Sequence, residues 1–94
     1  MTDRLNRWDY DCMRILFECD CFNYFSSLTI DEIRSRLEVK RNTLYKRLQR
    51  LCNMKYMELG CKSERQDTYF LTASGRNLIE TYLVVEEKSR NNHI

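Results

Sequence analysis

The chain has 94 residues, of which 43% are hydrophobic and 32% are charged, and its formal net charge is only +2. This length supports one domain with one modest core, expected over about residues 8–87 with tails at 1–6 and 88–94. No apolar run approaches the roughly 18 residues of a membrane span, and the N-terminal segment at residues 1–7 is mostly polar. We therefore expect an intracellular, cytoplasmic protein with no membrane association.

The first predicted element is a helix of about three turns between Trp8 and Cys19. Its apolar residues recur at helical spacing and should be buried along one face; they are Trp8, Cys12, Ile15, Leu16 and Cys19. Asp9 and Arg14 lie off that stripe and are expected in solvent. Residues 20–27 are then predicted to form a loop whose three aromatic side chains, those of Phe22, Tyr24 and Phe25, cover the core.

A short second helix is predicted after Thr29. Thr29 and Glu32 have the spacing of a capping box, in which the hydroxyl and the carboxylate each accept from the other residue's backbone N–H. The apolar face consists of Ile30, Ile33 and Leu37. The helix should end near Glu38, and the next one begins around Lys40 or Arg41. So short a link forces a steep crossing, as in a helix-turn-helix.

The third predicted helix is amphipathic and strongly basic. Leu44, Leu48 and Leu51 fall at spacings of four and three, which places them on one side. From Lys40 to Lys55 there are six basic residues and no acidic one. Such concentrated positive charge favours a polyanion as the partner. The alternative interpretation is an ordinary solvated helix face.

Two strands should follow, at residues 56–62 and 68–72, joined by a polar hairpin loop at residues 63–67. In the first strand one side is predicted to carry Met57, Leu59 and Cys61. In the second strand Tyr69 and Leu71 share a side. Because an isolated hairpin is marginally stable, this one must pack on the helices.

A last helix is predicted after Thr72, which can serve as its N-cap. Ile79 and Leu83 share one side and should meet the first helix. A second apolar stripe consists of Leu78, Tyr82 and Val85. A monomer would leave this stripe in water, which predicts a two-fold homodimer through this helix, with help from the first helix around Trp8. Alternatively, part of the stripe folds against the aromatic loop.

This order of elements is that of a winged helix-turn-helix, an α+β fold of mostly helical content: a three-helix core, a two-stranded β wing and a C-terminal helix. One motif resembles the recognition half of bacterial and archaeal winged-helix regulators: Leu37-x-Val39-Lys40-x-x-Thr43-Leu44-Tyr45-Lys46-Arg47-Leu48-x-x-Leu51. Another resembles the strand-to-helix junction after the wing in the MarR and PadR groups: Tyr69-x-Leu71-Thr72-x-x-Gly75-Arg76. Together the motifs cover about residues 28–83 and indicate a small transcriptional regulator of the MarR/PadR-like superfamily.

The chain departs from that family at the start of the recognition helix. Lys40 stands where the family usually has Ser, Thr or Asp, and its side chain cannot accept from backbone N–H groups. Either the helix is capped from elsewhere, for example by Asn42 after a shift of its start, or Lys40 is retained for a phosphate. The long additional helices of full MarR-type proteins are also missing, so no ligand-sensing domain is expected.

The resemblance implies sequence-specific binding of double-stranded DNA. The outward residues at the start of a recognition helix meet base edges in the major groove, and here they are Arg41, Asn42, Thr43 and Tyr45. The residues better placed for phosphates are Lys40, Lys46, Arg47 and Arg50. Lys62 and Arg65 of the wing could reach the adjacent minor groove or the backbone.

Other functions have weaker support in the sequence. A winged-helix protein-interaction module is the main alternative, although a docking helix usually mixes charges. An enzyme is not expected, because the single histidine, His93, lies in the tail and no Gly-rich loop or nucleophile–base pair is found. The five cysteines are expected to be reduced and mostly buried. Cys19 and Cys21 could instead form a thiol or metal sensor, but no metal or cofactor is predicted.

Overall fold

The computed structural model describes the backbone of residues 5–91 and the side chains of residues 5–88. The elements in that range are α1 (Arg7–Glu18), β1 (Leu28–Thr29), α2 (Ile30–Arg34), α3 (Arg41–Asn53), β2 (Met57–Leu59), β3 (Thr68–Leu71) and α4 (Ala73–Asn91). Their order is the predicted one, with β1 as an addition. None of the described helices is long and apolar enough to cross a membrane.

The three strands form one antiparallel sheet in the order β1-β3-β2. In the central strand, Tyr69 pairs with Leu28 on one side and with Leu59 on the other. The sequence predicts only the hairpin of β2 and β3, because β1 has two residues and too short a pattern to detect. β1 runs directly into α2, so the sheet ties the helix-turn-helix to the wing.

The core draws on every helix and on the sheet. Side chains that are fully buried at its centre include Met13, Leu16, Ile33, Leu44, Leu48, Leu51, Met57 and Ile79. The predicted leucine stripe of α3 is therefore confirmed, and so is the burial of Tyr69 and Leu71 on β3. Since one complete face of α3 is anchored in this core, its other faces are held in a fixed orientation.

The start of α1 differs from the prediction. The Asn6 side chain accepts from the backbone N–H of Asp9 at 3.1 Å, and the Asp9 carboxylate accepts from the backbone N–H of Asn6 at 2.9 Å. This capping box begins the helix at Arg7, one residue early. Two predictions here are wrong: Trp8 is 50% exposed, and Asp9 is completely buried. The reason is that the first turn of α1 lies beside α3 and not over the core.

The helix-turn-helix begins as predicted. The backbone N–H of Thr29 donates to Glu32 at 3.0 Å and the N–H of Glu32 donates to the Thr29 hydroxyl at 3.2 Å, which confirms the capping box. α2 ends at Arg34, however, before the predicted end near Glu38. A turn without helical structure carries the chain to Lys40, and Leu37 in that turn packs against the core.

The wing is less buried than predicted. Of the three β2-side residues expected to share a buried face, only Met57 is buried, and Leu59 and Cys61 are exposed. The regular register of β2 ends at Leu59, and beyond it the hairpin is held by an isolated bridge between Ser63 and Gln66 near the tip. Glu64 and Arg65 form its two-residue tip, both with positive φ, 50° and 69°. Such conformations are costly for residues other than glycine.

The loop before β1 covers the core only in part. Phe22 packs against the core and meets Phe17 edge to face, with ring centroids 5.8 Å apart. Tyr24 and Phe25 are exposed, the latter at 83%. Asn23 explains this, because its side chain accepts from the backbone N–H of Phe25 and fixes a tight turn that points outward.

The last helix begins as predicted, since the Thr72 hydroxyl accepts from the backbone N–H of Gly75 at 3.1 Å. It continues to Asn91, beyond residue 88, where the C-terminal tail was expected to begin. Residues 92–94, including His93, lie outside the described residues.

The second apolar stripe of α4 is not left in water as expected. Leu78 and Tyr82 are partly buried against the core. The Tyr82 ring stacks on the Tyr10 ring of α1, with 4.0 Å between the ring centroids and 5° between the ring planes. The aromatic partner of Tyr82 is thus α1 and not the loop at residues 22–25. Only Val85 of the stripe is largely exposed, at 58%, next to the half-exposed Val84.

Candidate nucleic-acid interface

The surface of α3 divides into three rows around its buried leucines. An outer row, opposite the leucines at helical spacing, consists of Asn42, Lys46, Gln49 and Asn53. A wing-side row consists of Arg41 and Tyr45. An α1-side row consists of Thr43, Arg47 and Arg50. The helix carries four basic residues and no acidic one, so each row has a positive or neutral surface.

The wing-side row faces the wing across an open cleft. Arg41 and Tyr45 line this cleft together with Arg65 of the wing tip. Tyr69 also lines it, and burial raises the pKa of its phenol to about 12, which keeps the hydroxyl protonated. The structure therefore brings Arg65 of the wing next to Arg41 and Tyr45, which lie 20 or more positions earlier in the sequence.

Two acidic side chains accompany this row. Arg41 Nε donates to Asp31 at 3.3 Å, and both side chains are half exposed. Lys62 lies 3.8 Å from Asp67, also in solvent. Exposed pairs of this kind contribute little to stability and are screened by salt. They can therefore exchange for contacts with another anion at small cost.

The α1-side row is held by the start of α1. Arg47 lies over the Trp8 ring, with 5.2 Å between the guanidinium carbon and the ring centroid. Arg50 Nη1 donates to Asp9, which is buried. Arg50 was predicted to contact a phosphate, but this ion pair gives it a structural role, since it neutralises a carboxylate that has no access to water.

The N-terminus of α3 lacks a side-chain cap. Lys40 is the N-cap residue in an extended conformation, and its side chain makes no capping hydrogen bond. The predicted departure at this position is confirmed, and the alternative shift of the start to Asn42 does not occur. An uncapped helix start beside a lysine is electropositive, because the first N–H groups and the helix dipole add to the side-chain charge.

The cysteines divide into buried and accessible thiols. Cys12 and Cys21 are buried, Cys19 and Cys52 are partly buried, and Cys61 is the exception to the burial expected of most of them. Burial raises the pKa of the Cys21 thiol to about 11. Within the described residues there is no group of three or more Cys, His, Asp or Glu side chains that could hold a metal ion.

Several residues of this surface were not predicted from the sequence. Gln49 and Asn53 continue the outer row from Asn42 and Lys46, and the same helical spacing that located the leucines could have located them. Asn6 and Asp9 had no such signal, because their relation to α3 depends on contacts between residues 41 positions apart.

No protein-family model matches the sequence, and no curated protein matches it. Solved structures do match the fold. MepR, a transcription regulator of the Staphylococcus aureus multidrug efflux pump MepA, superposes with a TM-score of 0.82 and 18% identity over 94% of this chain and 62% of that one. TubR from Bacillus megaterium superposes with a TM-score of 0.78 and 18% identity, over 85% of this chain and 88% of TubR. BpsR from Bordetella bronchiseptica superposes with a TM-score of 0.76 and 16% identity, over 96% of this chain and 61% of BpsR.

The chain thus spans about three fifths of MepR and BpsR but most of TubR. MepR has also been solved in complex with DNA, and that structure superposes with a TM-score of 0.77 at 18% identity. At such low identity the likeness establishes the fold. The chain has the winged helix-turn-helix fold that its motifs predicted, and it shares that fold with MepR, TubR and BpsR.

Proposed function

We propose that the protein is a transcriptional regulator that binds double-stranded DNA sequence-specifically, with α3 in the major groove. The observation that carries this proposal is the outer face of α3, which is exposed, basic and free of acidic residues while its opposite face is fixed in the core. The complex of MepR with DNA, in a protein of the same fold, supports it.

Base recognition is assigned to amide side chains of the outer row and to the wing-side row. Asn42 and Gln49 can each pair bidentately with adenine. Arg41 can pair with guanine once it leaves Asp31, and Tyr45 can contact a thymine methyl. Arg65 and Lys62 on the wing are assigned to the adjacent minor groove or backbone. Lys40 and Lys46 serve phosphates and so position the helix without specifying sequence.

Duplex binding measured by fluorescence anisotropy at several salt concentrations tests this proposal. The affinity should fall with salt at a log–log slope of about −0.9 per phosphate neutralised. Asn42→Ala and Gln49→Ala should relax base preference at a cost of about 1–3 kcal/mol, whereas Lys46→Ala should weaken binding to all sequences alike. Lys88→Ala is the matched control, because Lys88 is an exposed lysine on α4, away from α3. An affinity independent of salt, or equal losses for Lys46→Ala and Lys88→Ala, would contradict the proposal.

A homodimer through the C-terminal part of α4 is proposed as the binding unit. The support is the exposure of Val84 and Val85, flanked by the partly buried Leu78 and Tyr82. A two-fold dimer would present two recognition helices to half-sites about 34 Å apart.

Sedimentation equilibrium at micromolar protein tests the dimer. Val85→Glu should yield a monomer, because a buried unpaired carboxylate opposes association. Asn77→Glu, at an exposed position near the start of α4, should leave the dimer intact. A wild-type monomer would contradict the proposal.

A second candidate function, protein docking, is favoured by the exposed aromatic turn. Tyr24 and Phe25 stand beside Cys61, whose backbone N–H donates to the Tyr24 carbonyl at 2.8 Å, and Leu59 is also exposed. Phe25→Ser should then preserve DNA affinity and reduce regulation in a reporter assay. Unchanged regulation would remove this candidate.

A further inference from the structure

The start of α1 contacts α3 through two side chains that differ in role. Trp8 is half exposed, and its ring lies 5.2 Å from the guanidinium carbon of Arg47. Arg47 is itself partly buried, and its Nε has no hydrogen-bond partner within the described part of the chain. The ring therefore restricts the guanidinium without neutralising its charge.

The neighbouring contact fixes the geometry. Asp9 is completely buried, and its Oδ2 accepts from Arg50 Nη1 and from the backbone N–H of Asn6. One carboxylate thus joins the cap of α1 to the middle of α3. This contact, together with the core that both helices share, holds the first turn of α1, including Trp8, beside α3.

Asp9, Arg47 and Arg50 also line a pocket between the two helices, together with Asn6, Thr43 and Lys46. Asp9 is paired with Arg50, so the charges of Lys46 and Arg47 remain. Among the ion pairs of the described residues, neither of these two cations has an acidic partner. The pocket therefore carries an uncompensated positive charge beside a hydroxyl donor, which are the groups that bind a phosphate.

We infer that this pocket binds one backbone phosphate of DNA and that Trp8 is a positioning residue for Arg47 in that contact. The inference rests on the proposed function, which places α3 in the major groove. A helix in that groove is flanked by two sugar–phosphate backbones, and the wing lies at the opposite edge of α3. The start of α1 then holds the second backbone, through Arg47, Lys46 and the Thr43 hydroxyl.

The test is a double-mutant cycle in Trp8 and Arg47, measured as affinity for one duplex across a salt series. Arg47→Ala should weaken binding to all sequences and reduce the salt slope by about 0.9, the share of one phosphate. Trp8→Ala keeps the charge, so it should reduce affinity about two- to fivefold with little change in slope. In the Arg47→Ala background Trp8→Ala should have no further effect. Trp8→Phe, which keeps an aromatic face, should restore most of the affinity.

Each outcome separates this inference from the proposed function. Suppose that the wild-type protein binds DNA with a salt-dependent affinity and that the Trp8→Ala and Arg47→Ala variants bind as tightly as the wild type. The phosphate site is then wrong, and the proposed function stands. Additive losses would mean that Trp8 acts on DNA without Arg47, which overturns its positioning role. If Trp8→Ala lowers the melting temperature, the cycle is repeated with Trp8→Leu in its place. The Trp8→Leu change should then also have no further effect on affinity in the Arg47→Ala background. Wild-type protein that binds no duplex overturns the proposed function itself.

Discussion

The buried pair of Asp9 and Arg50 predicts an asymmetry between two single substitutions. Asp9 is 0% exposed, whereas the Arg50 side chain is 35% exposed. Arg50→Met keeps the aliphatic part of the side chain but leaves a buried carboxylate without its cation. Asp9→Asn removes the negative charge, keeps an oxygen that can accept from the backbone N–H of Asn6, and leaves an arginine that can reach water.

The expected magnitudes follow from this difference in burial. Removing one partner so that a charge stays buried costs about 3–5 kcal/mol, which applies to Arg50→Met. Losing a hydrogen bond to a charged group costs about 1.5–3 kcal/mol when the remaining partner can be solvated, which applies to Asp9→Asn. The double variant should cost less than the sum, with a coupling of about 1–3 kcal/mol. Domains of this size have about 5–15 kcal/mol in total, so all three variants can be measured.

Urea denaturation followed by circular dichroism gives the free energy of unfolding for the four proteins. The m-value should stay constant if only native-state contacts change. Arg14→Met is a matched control, because the ion pairs of Arg14 among the described residues, with Glu18 and Glu86, are both 3.8 Å long and partly open to solvent. An Asp9→Asn variant that costs as much as Arg50→Met, or a coupling below about 0.5 kcal/mol, would refute the reasoning.

Three further predictions concern stability. Burial raises the pKa of Cys12 to about 12 and of Cys21 to about 11 from an ordinary 9.0, so the unfolded chain loses these thiol protons at a lower pH than the folded protein does. The free energy of unfolding should therefore be constant below pH 9 and fall above it up to about pH 12, by up to about 1.4 kcal/mol per pH unit per thiol. Equal free energies of unfolding at pH 8 and pH 10.5 in urea denaturation would contradict this. Gly75→Ala should destabilise the protein by about 1–3 kcal/mol or more, because the new Cβ would meet the backbone carbonyl of Tyr56. An unchanged melting temperature would show that the start of α4 does not pack this closely on Tyr56. Arg65→Gly should raise the free energy of unfolding by about 1 kcal/mol, because the φ of 69° at this position suits glycine, and it should lower the affinity for duplex DNA. A fall in the free energy of unfolding would show that the backbone at Arg65 is not strained.

Local sequence patterns were sufficient for the elements whose signals lie within one or two helical turns. The leucine spacing of α3, the capping box at Thr29 and the N-cap at Thr72 all depend on residues three or four apart, and all three predictions are confirmed. β1 was missed because two residues carry no periodicity, and it exists only by pairing with β3, about 40 positions later. Of its two residues, Leu28 was assigned to no element and Thr29 was predicted as the N-cap of the second helix.

Long-range contacts account for the errors at the site. Trp8 fits the apolar spacing of α1 but lies on the turn that projects beside Arg47, and Asp9 is polar but is buried by its ion pair across 41 positions. The burial of Tyr82 depends in the same way on its ring contact with Tyr10. A single sequence gives the phase of each helix but not which neighbour covers its first or last turn.

Selection of bound sites from a pool of random duplexes tests the central claim most directly. We expect strong enrichment of one motif, in two inverted half-sites whose centres lie about one helical turn apart. Each half-site should contain adenines that are no longer enriched when Asn42→Ala or Gln49→Ala is used in the selection. Recovery of an unenriched pool, or of the same motif at the same strength with both variants, would contradict sequence-specific recognition by the outer row of α3.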